Sequence, residues 1–221
     1  MFNNIFENKI LNNNSPVLVM GLNDKVQASY VWNLFGASKK NILVVTNTLY
    51  EANMLYKSLN QYDKDNILLF PMDDFLVSEA VATSPDLMSK RIETLNELAK
   101  NNIGKIVITN FMGYLRFLPS RKLWSSLNIK IKETDEINRD LLIQKLNMIG
   151  YKRDSIVIKT GEYANRGYIL DVFPYGYENP VRIEFFDDEI ESIREFSSDT
   201  QLSMKKKNNI EICPFTEFIN E

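Results

Sequence analysis

The residues with the most evident chemical potential in the first half of the chain lie in the loop formed by residues 20–27. A phosphate-binding loop needs several glycines, whose amides face the phosphates, and a Lys-Ser or Lys-Thr pair for the terminal phosphates and Mg²⁺. This loop keeps one glycine, Gly21, and its Lys25 is followed by Val26. We therefore interpret Gly21 and Lys25 as a degenerate nucleotide loop with, at most, a weak residual anion site.

Other residue types narrow the chemistry further. The chain has no histidine, which removes His-based general bases, Ser-His and Cys-His nucleophilic pairs and most zinc sites. Its single cysteine, Cys213, rules out an internal disulfide framework and is interpreted as a small buried apolar residue. The pair Asp73 and Asp74 suggests a metal site, but no other carboxylate is tied to it by spacing, so an ordinary surface loop is favoured.

A different kind of site is indicated by the segment Val181–Phe186. The alternation of a strand places Arg182, Glu184 and Phe186 on one face and three apolar residues on the other, which is predicted to face the core. An arginine and an aromatic ring on an exposed sheet face are typical of a protein-interface hot spot. A solvated face with a chance aromatic residue is the alternative that these residues alone leave open.

Composition sets broad limits on these interpretations. The chain has 221 residues, of which 44% are apolar and 25% charged, as expected of a folded protein with one large or two small domains. Its net charge of −3 argues against DNA binding as the main task of this segment. Neither a membrane span nor a secretory signal is visible, so a cytoplasmic location is expected.

The first half of the chain alternates apolar runs with amphipathic segments. Strands that are apolar throughout indicate a parallel sheet covered on both faces, so residues 1–119 are predicted to form a doubly wound α/β domain. One helix is predicted to begin at the capping-box pair Thr48 and Glu51, and another at Ser84 and Pro85. The remaining predicted elements of this half are a helix over 24–35 and strands over 16–20, 41–46, 66–70 and 105–109.

The second half has strands at hairpin spacing, which indicates a small α+β domain with an antiparallel sheet backed by one helix. This domain is assigned to residues 120–208, and residues 209–221 are interpreted as a strand that returns to the first domain. Lys205, Lys206 and Lys207 are interpreted as an exposed turn or linker. The predicted elements are a helix over 135–149 and strands over 128–132, 155–160, 168–173 and 181–186, the last followed by a tight turn at Asp187 and Asp188.

Two long motifs carry a family resemblance. Residues 161–174 read Gly-Glu-Tyr-Ala-Asn-Arg-Gly-Tyr-Ile-Leu-Asp-Val-Phe-Pro, and residues 180–194 read Pro-Val-Arg-Ile-Glu-Phe-Phe-Asp-Asp-Glu-Ile-Glu-Ser-Ile-Arg. Together with residues 44–56, 69–71 and 84–95, they resemble the UvrB-homology module of bacterial transcription-repair coupling factors (Mfd). The resemblance covers residues 16–218.

The resemblance implies a first domain similar to a helicase-like, P-loop NTPase-like domain that has lost its ATP site. No cofactor is then expected for this segment, because ATP and Mg²⁺ belong to later domains of the coupling factor. UvrB itself carries a long aromatic hairpin that grips damaged DNA. Only residues 72–83 stand at that place here, with Phe75 as their sole aromatic residue, so damage verification by this chain is not expected.

The resemblance also implies that the inserted domain binds UvrA, the damage-recognition ATPase of nucleotide excision repair. The family's interface residues fall on Arg166, Arg182 and Phe186, and Arg194 is added through its UvrB counterpart. Arg166, between Asn165 and Gly167, is predicted to lie in a turn from which its guanidinium projects freely. An arginine fork suits carboxylates on a partner.

The function expected from the sequence is a non-catalytic docking module that recruits UvrA to stalled RNA polymerase in transcription-coupled repair. The segment is interpreted as a monomeric piece of an ATP-dependent DNA translocase, in which later domains contact RNA polymerase and DNA. The alternative is a residual nucleotide- or DNA-binding helicase-like domain, which predicts nucleotide-dependent stabilisation or steeply salt-dependent DNA binding.

Overall fold

The computed structural model describes residues 16–38, 40–74, 84–100 and 104–218. The chain divides into two compact units, residues 1–117 and 118–221. Among the described residues, no helix is long and apolar enough to cross a membrane.

The first unit is built on a parallel sheet of three strands in the order β1-β3-β2. Its strands are β1 (Ile42–Thr46), β2 (Ile67–Phe70) and β3 (Ile106–Asn110). Its helices are α1 (Asp24–Ser38), α2 (Leu49–Leu59), α3 (Pro85–Ala99) and α4 (Phe111–Tyr114). Apolar residues of α1 and α2 pack on one face of this sheet, and α3 packs against β2.

The predicted capping box starts α2. The Thr48 side chain accepts a hydrogen bond from the backbone N–H of Glu51 at 3.2 Å, and the Glu51 carboxylate accepts one from the backbone N–H of Thr48 at 3.4 Å. These bonds satisfy donors that an uncapped helix leaves without partners. The helix then buries Ala52 and Leu59 completely, which fixes its orientation on the sheet.

Two expectations for the first unit are wrong. Residues 16–20 do not form a strand, and Leu18 and Met20 are 82% and 80% exposed. An apolar run becomes a strand only where a neighbouring strand supplies hydrogen bonds, and among the described residues β1 and β2 each pair with β3 and not with residues 16–20. The sheet is also not covered on both faces throughout, because Leu43 and Val45 of β1 are largely exposed. The parallel sheet is confirmed, whereas the doubly wound helicase-like fold stays a prediction.

The second unit contains a sheet of six strands in the order β10-β9-β8-β7-β6-β5, and β11 pairs with β4. The strands are β4 (Ile129–Lys132), β5 (Lys152–Arg153), β6 (Glu162–Arg166), β7 (Ile169–Val172), β8 (Val181–Phe186), β9 (Glu189–Phe196), β10 (Ser203–Lys207) and β11 (Asn209–Ile212). The helices are α5 (Arg121–Ser126) and α6 (Arg139–Met148). All pairs in the larger sheet are antiparallel except β5 with β6.

One face of the larger sheet forms the core of the second unit. Helix α6 contributes Leu142 and Leu146 to this core, and both are essentially inaccessible to solvent. Strand β8 contributes Val181, Ile183 and Phe185, the three residues predicted to point inward. The predicted α+β arrangement, an antiparallel sheet backed by one helix, is therefore confirmed, and the other residues of β8 face away from α6.

Two predicted local structures of the second unit are wrong. Residues 155–160 form no strand, because the Glu162 carboxylate accepts the backbone N–H groups of Ile158 and Lys159 at 2.9 and 2.8 Å and holds the chain in a bend. Lys205, Lys206 and Lys207 lie in the edge strand β10 rather than in a turn or linker. Charged side chains on an edge strand disfavour further strand pairing.

The strand predicted to return to the first domain remains in the second unit. Strand β11 pairs antiparallel with β4, and Ile210 and Ile212 enter the same core as Leu142 and Leu146. The burial of these two isoleucines fixes the register, because a shift by one residue would expose both side chains. The assignment of residues 209–212 to the first domain is corrected accordingly.

Candidate functional site

The degenerate nucleotide loop has the geometry of an ordinary helix start. Gly21 has a positive φ of 80°, and Lys25 is exposed in the first turn of α1. The Asn23 side-chain oxygen accepts a hydrogen bond from the backbone N–H of Val26 at 3.0 Å. In a phosphate-binding loop, an N–H at the start of the helix would donate to a phosphate instead. A cavity of about 450 Å³ lies between α1 and α2, and it is lined by residues such as Leu22 and Gln27 but not by Gly21 or Lys25.

Asp74, the second residue of the acidic pair after β2, makes structural hydrogen bonds. Both carboxylate oxygens of Asp74 accept the backbone N–H of Leu49, at 2.8 and 3.0 Å. The same carboxylate accepts a hydrogen bond from the Asn110 amide at 2.8 Å. Asp74 thus joins the start of α2 to the end of β3. Within the described residues, no group of His, Cys, Asp and Glu side chains has the arrangement of a metal site.

The residues with the strongest functional indication gather on the face of the larger sheet that points away from α6. Strand register places Asp171 opposite Arg182, and Arg182 opposite Arg194. In the next row Arg166 lies opposite Ile169, and Ile169 opposite Glu184. We call this surface the charged face and define it by Arg166, Asp171, Arg182, Glu184, Phe186 and Arg194.

A buried carboxylate organises one end of the charged face. Asp171 has no solvent exposure and accepts hydrogen bonds from Nε and Nη2 of Arg182, at 2.7 and 2.9 Å. Arg166 Nη2 donates to the same carboxylate at 2.5 Å. Two arginines from different strands are thereby fixed against one acidic residue. Charge-assisted bonds of this two-pronged kind are among the strongest side-chain contacts in proteins.

Arg182 is held from a second side as well. Its guanidinium lies over the Phe196 ring, 4.7 Å from the ring centroid, and its side chain is only 15% exposed. Phe196 belongs to a small cluster with Val157, Ala164 and Phe173. The hydrogen bond to Asp171 raises the pKa of Arg182 above its ordinary value, outweighing the effect of burial, so the group stays charged.

The charged face also includes Glu184, Arg194 and Phe186. Glu184 accepts a hydrogen bond from the Ser192 hydroxyl at 2.5 Å and lies 3.4 Å from Arg194 Nη2. The Arg194 side chain is 44% exposed, compared with 49% for Arg166. Phe186, at the end of β8, is 69% exposed. Arg166, Arg194 and Phe186 are therefore the residues of the charged face that a partner reaches most directly.

The strand alternation brings Arg182, Glu184 and Phe186 together on one face as predicted, and cross-strand pairing adds Arg166 and Arg194. The predicted free guanidinium of Arg166 is wrong, because this residue ends β6 and bonds to Asp171. Asp171 was missed as a site residue. Its signal is a lone acidic residue inside the apolar strand Ile-Leu-Asp-Val, where a buried carboxylate requires a cationic partner.

Comparison with known proteins finds a family model that resembles part of this chain. Residues 129–218, which include the entire charged face, match the model of the UvrB interaction domain. The resemblance found in the sequence is thereby confirmed for the unit that carries the candidate site.

Curated relatives extend the similarity over nearly the whole chain. The transcription-repair-coupling factor of Staphylococcus epidermidis is 34% identical over 204 residues, covering 92% of this chain and 17% of the relative. Those of Staphylococcus aureus and Bacillus subtilis are each 34% identical over 203 residues. Each match covers 91% of this chain and 17% of the relative. The chain thus spans about a sixth of the length of these relatives, and both of its units are similar to them.

Proposed function

We propose that the second unit is a docking module for UvrA and that the charged face is its contact surface. One observation carries the proposal: Arg166, Arg182, Phe186 and Arg194, which the family resemblance assigns to the contact, lie on one face. They come from three different strands, so their assembly depends on the fold and not on sequence proximity.

The composition of the charged face suits a protein partner with acidic groups. Its three arginines and two carboxylates sum to one positive charge (3 − 2), whereas the whole chain has a net charge of −3. Phe186 adds an exposed aromatic ring beside these cations. An aromatic anchor next to arginines is the composition typical of interface hot spots, and local charge complementarity favours association with an acidic surface.

In the wider proposal, this docking recruits UvrA to stalled RNA polymerase in transcription-coupled nucleotide excision repair. ATP-driven DNA translocation and contacts with RNA polymerase and DNA are assigned to other parts of the coupling factor. We propose no catalytic role and no cofactor for this segment, because Asn23 caps α1 where a phosphate loop would need open amides. The first unit is proposed to be a degenerate helicase-like domain.

The proposal is tested by placing a photo-crosslinking residue on either face of the larger sheet. Glu189 is exposed and pairs with Phe186 across the β8–β9 hairpin, so a crosslinker at this position lies beside the charged face. Leu141 is 57% exposed on α6, which packs on the opposite face. With purified UvrA, we expect a crosslinked product from position 189 and none from position 141.

The crosslinking experiment separates docking from its rivals. Equal crosslinking from both positions, or crosslinking from position 141 alone, would contradict docking through the charged face. A competing excess of the uncrosslinked parent chain is expected to suppress the product from position 189, because specific docking is saturable. Addition of duplex DNA is expected to leave the product unchanged, whereas a DNA-binding module would release UvrA.

A further inference from the structure

Asp171 is the one acidic residue of the charged face that a partner cannot touch. It lies in β7 with no exposed surface. A buried charge is costly unless it is paired, and this one is paired with two arginines through three short hydrogen bonds. A carboxylate so placed therefore acts on the surface only through the side chains that it holds.

The two arginines are held to different degrees. Arg182 gives two nitrogens to Asp171 and covers the Phe196 ring, so its position is fixed from two sides. Arg166 gives only Nη2 and keeps about half of its side chain exposed. Within the described part of the chain, Nε and Nη1 of Arg166 have no hydrogen-bond partner and are left for a ligand.

We propose that Asp171 is a positioning residue for docking: it fixes Arg166, against the anchored Arg182, in the orientation that a partner carboxylate requires. This inference rests on the proposed docking function. A long arginine side chain loses rotational freedom when it is ordered at an interface. Because Asp171 orders the Arg166 side chain before the partner binds, the entropic cost of that ordering no longer reduces the binding free energy.

The structure assigns Arg182 a corresponding role as the fixed side of this arrangement. Its side chain is only 15% exposed and two of its nitrogens face Asp171, so its contact with a partner is restricted to a small part of the guanidinium. Replacement of Arg182 is then expected to weaken docking largely by releasing Asp171 and Arg166. The sequence alone assigns Arg182 only a direct contact.

The test is a double-mutant cycle of Asp171→Asn and Arg166→Ala, measured as the dissociation constant for UvrA. Asparagine has nearly the shape of aspartate but turns one acceptor into a donor that faces an arginine. We expect Asp171→Asn to weaken binding at least about tenfold, and to add little in the Arg166→Ala background. An equal loss in both backgrounds would overturn the positioning role.

Two further variants separate positioning from general loss of stability. Val172 is fully buried on the core face of the same strand, so Val172→Ala destabilises the unit without touching either arginine. Its binding is expected to stay within about twofold of the parent. Should Asp171→Asn fail to fold, Arg166→Lys replaces it. This variant keeps the charge but loses the fork and is expected to bind at least about tenfold more weakly. Full affinity would overturn the proposal.

A measurement on the chain without UvrA distinguishes failure of the positioning role of Asp171 from failure of docking. Nuclear magnetic resonance of the arginine side chains is expected to show slow solvent exchange of the Arg182 Nε–H, which Asp171 accepts at 2.7 Å. Fast exchange in a parent chain that binds UvrA would overturn the positioning role alone. Failure of the parent chain to bind UvrA would overturn the docking function and, with it, the inference.

Discussion

At the scale of single residues, Phe185 and Phe186 are adjacent in β8 but differ in burial. Their substitutions are therefore expected to affect stability and the proposed docking separately. Phe186 is 69% exposed, so Phe186→Ala is expected to change the free energy of unfolding by less than about 0.5 kcal/mol. The same change is expected to weaken UvrA binding by about 2 kcal/mol, the loss typical of a hot-spot residue. Calorimetric titration and urea unfolding of one preparation measure both quantities.

The matched control is Phe185→Ala, one residue earlier in the same strand. Phe185 is 4% exposed in the core of the second unit, and its truncation is expected to cost about 3–5 kcal/mol of stability. A Phe186→Ala variant that unfolds as easily as Phe185→Ala would show that the alternation of β8 is wrong. A Phe186→Ala variant with parent-like affinity would remove this ring from the contact.

Tyr151 links the pH dependence of stability to one buried hydroxyl. The Tyr151 hydroxyl donates to the Cys213 carbonyl and accepts the Tyr175 N–H, each at 3.1 Å. Burial raises the pKa of Tyr151 above its ordinary value of 10.0, so the unfolded chain ionises first as the pH rises. The stabilising contribution is therefore present below pH 10 and is lost progressively above it.

Tyr151→Phe tests this linkage. The variant is expected to unfold about 1–2 kcal/mol more easily at neutral pH, because both hydrogen bonds of the hydroxyl are lost. Its free energy of unfolding is expected to fall less steeply above pH 10 than that of the parent. Urea unfolding on both sides of that pH gives the two slopes, and identical slopes would contradict the account.

Single residues also show how far sequence reasoning reaches. The alternation of β8 is local, so the shared face of Arg182 and Phe186 could be predicted from spacing alone. The contact of Asp171 with Arg166 and Arg182 could not, because it requires the register of three strands. That register is fixed by burial across the whole sheet, so the local sequence indicates that Asp171 needs a cationic partner but not which residues supply it.

At the scale of secondary structure, the start of α2 is the element whose sequence signal is most specific. Thr48→Ala removes the side-chain acceptor of the Glu51 N–H and is expected to cost about 0.5–2 kcal/mol of stability in the first unit. Circular dichroism and Trp32 fluorescence during urea unfolding measure this loss. Thr48→Ser keeps the hydroxyl and is expected to restore most of the parent stability. No difference between the two variants would contradict the capping role.

Elements with strong local signals were predicted, whereas the partner of β11, which depends on contacts distant in sequence, was not. The cap of α2 and the strand β8 have complete local signals. Residues 16–20 have the composition of a strand but pair with no strand in the described part of the chain, and β11 is paired with β4 through contacts distant in sequence. Strand composition therefore predicts where a strand is possible, whereas pairing decides whether and where it forms.

At the scale of the whole molecule, the degenerate loop predicts a chain that does not respond to nucleotide. A ligand that binds only the folded state raises the melting temperature with concentration. ATP with Mg²⁺ is expected to leave the melting temperature of this chain unchanged, because Lys25 lacks a neighbouring hydroxyl residue and Asn23 caps α1. Differential scanning fluorimetry across a nucleotide titration measures this. A saturable rise in the melting temperature would contradict this prediction and support the alternative of a residual nucleotide site.

Docking of UvrA on the charged face is tested by calorimetric titration of two double variants beside the parent. Arg182→Ala with Phe186→Ala removes two members of the charged face. Arg153→Ala with Leu141→Ala removes an exposed cation and an exposed apolar side chain on the side of α6. Binding by the parent and by the second double variant, but not by the first, is the predicted result. Equal binding by all three would contradict docking through the charged face.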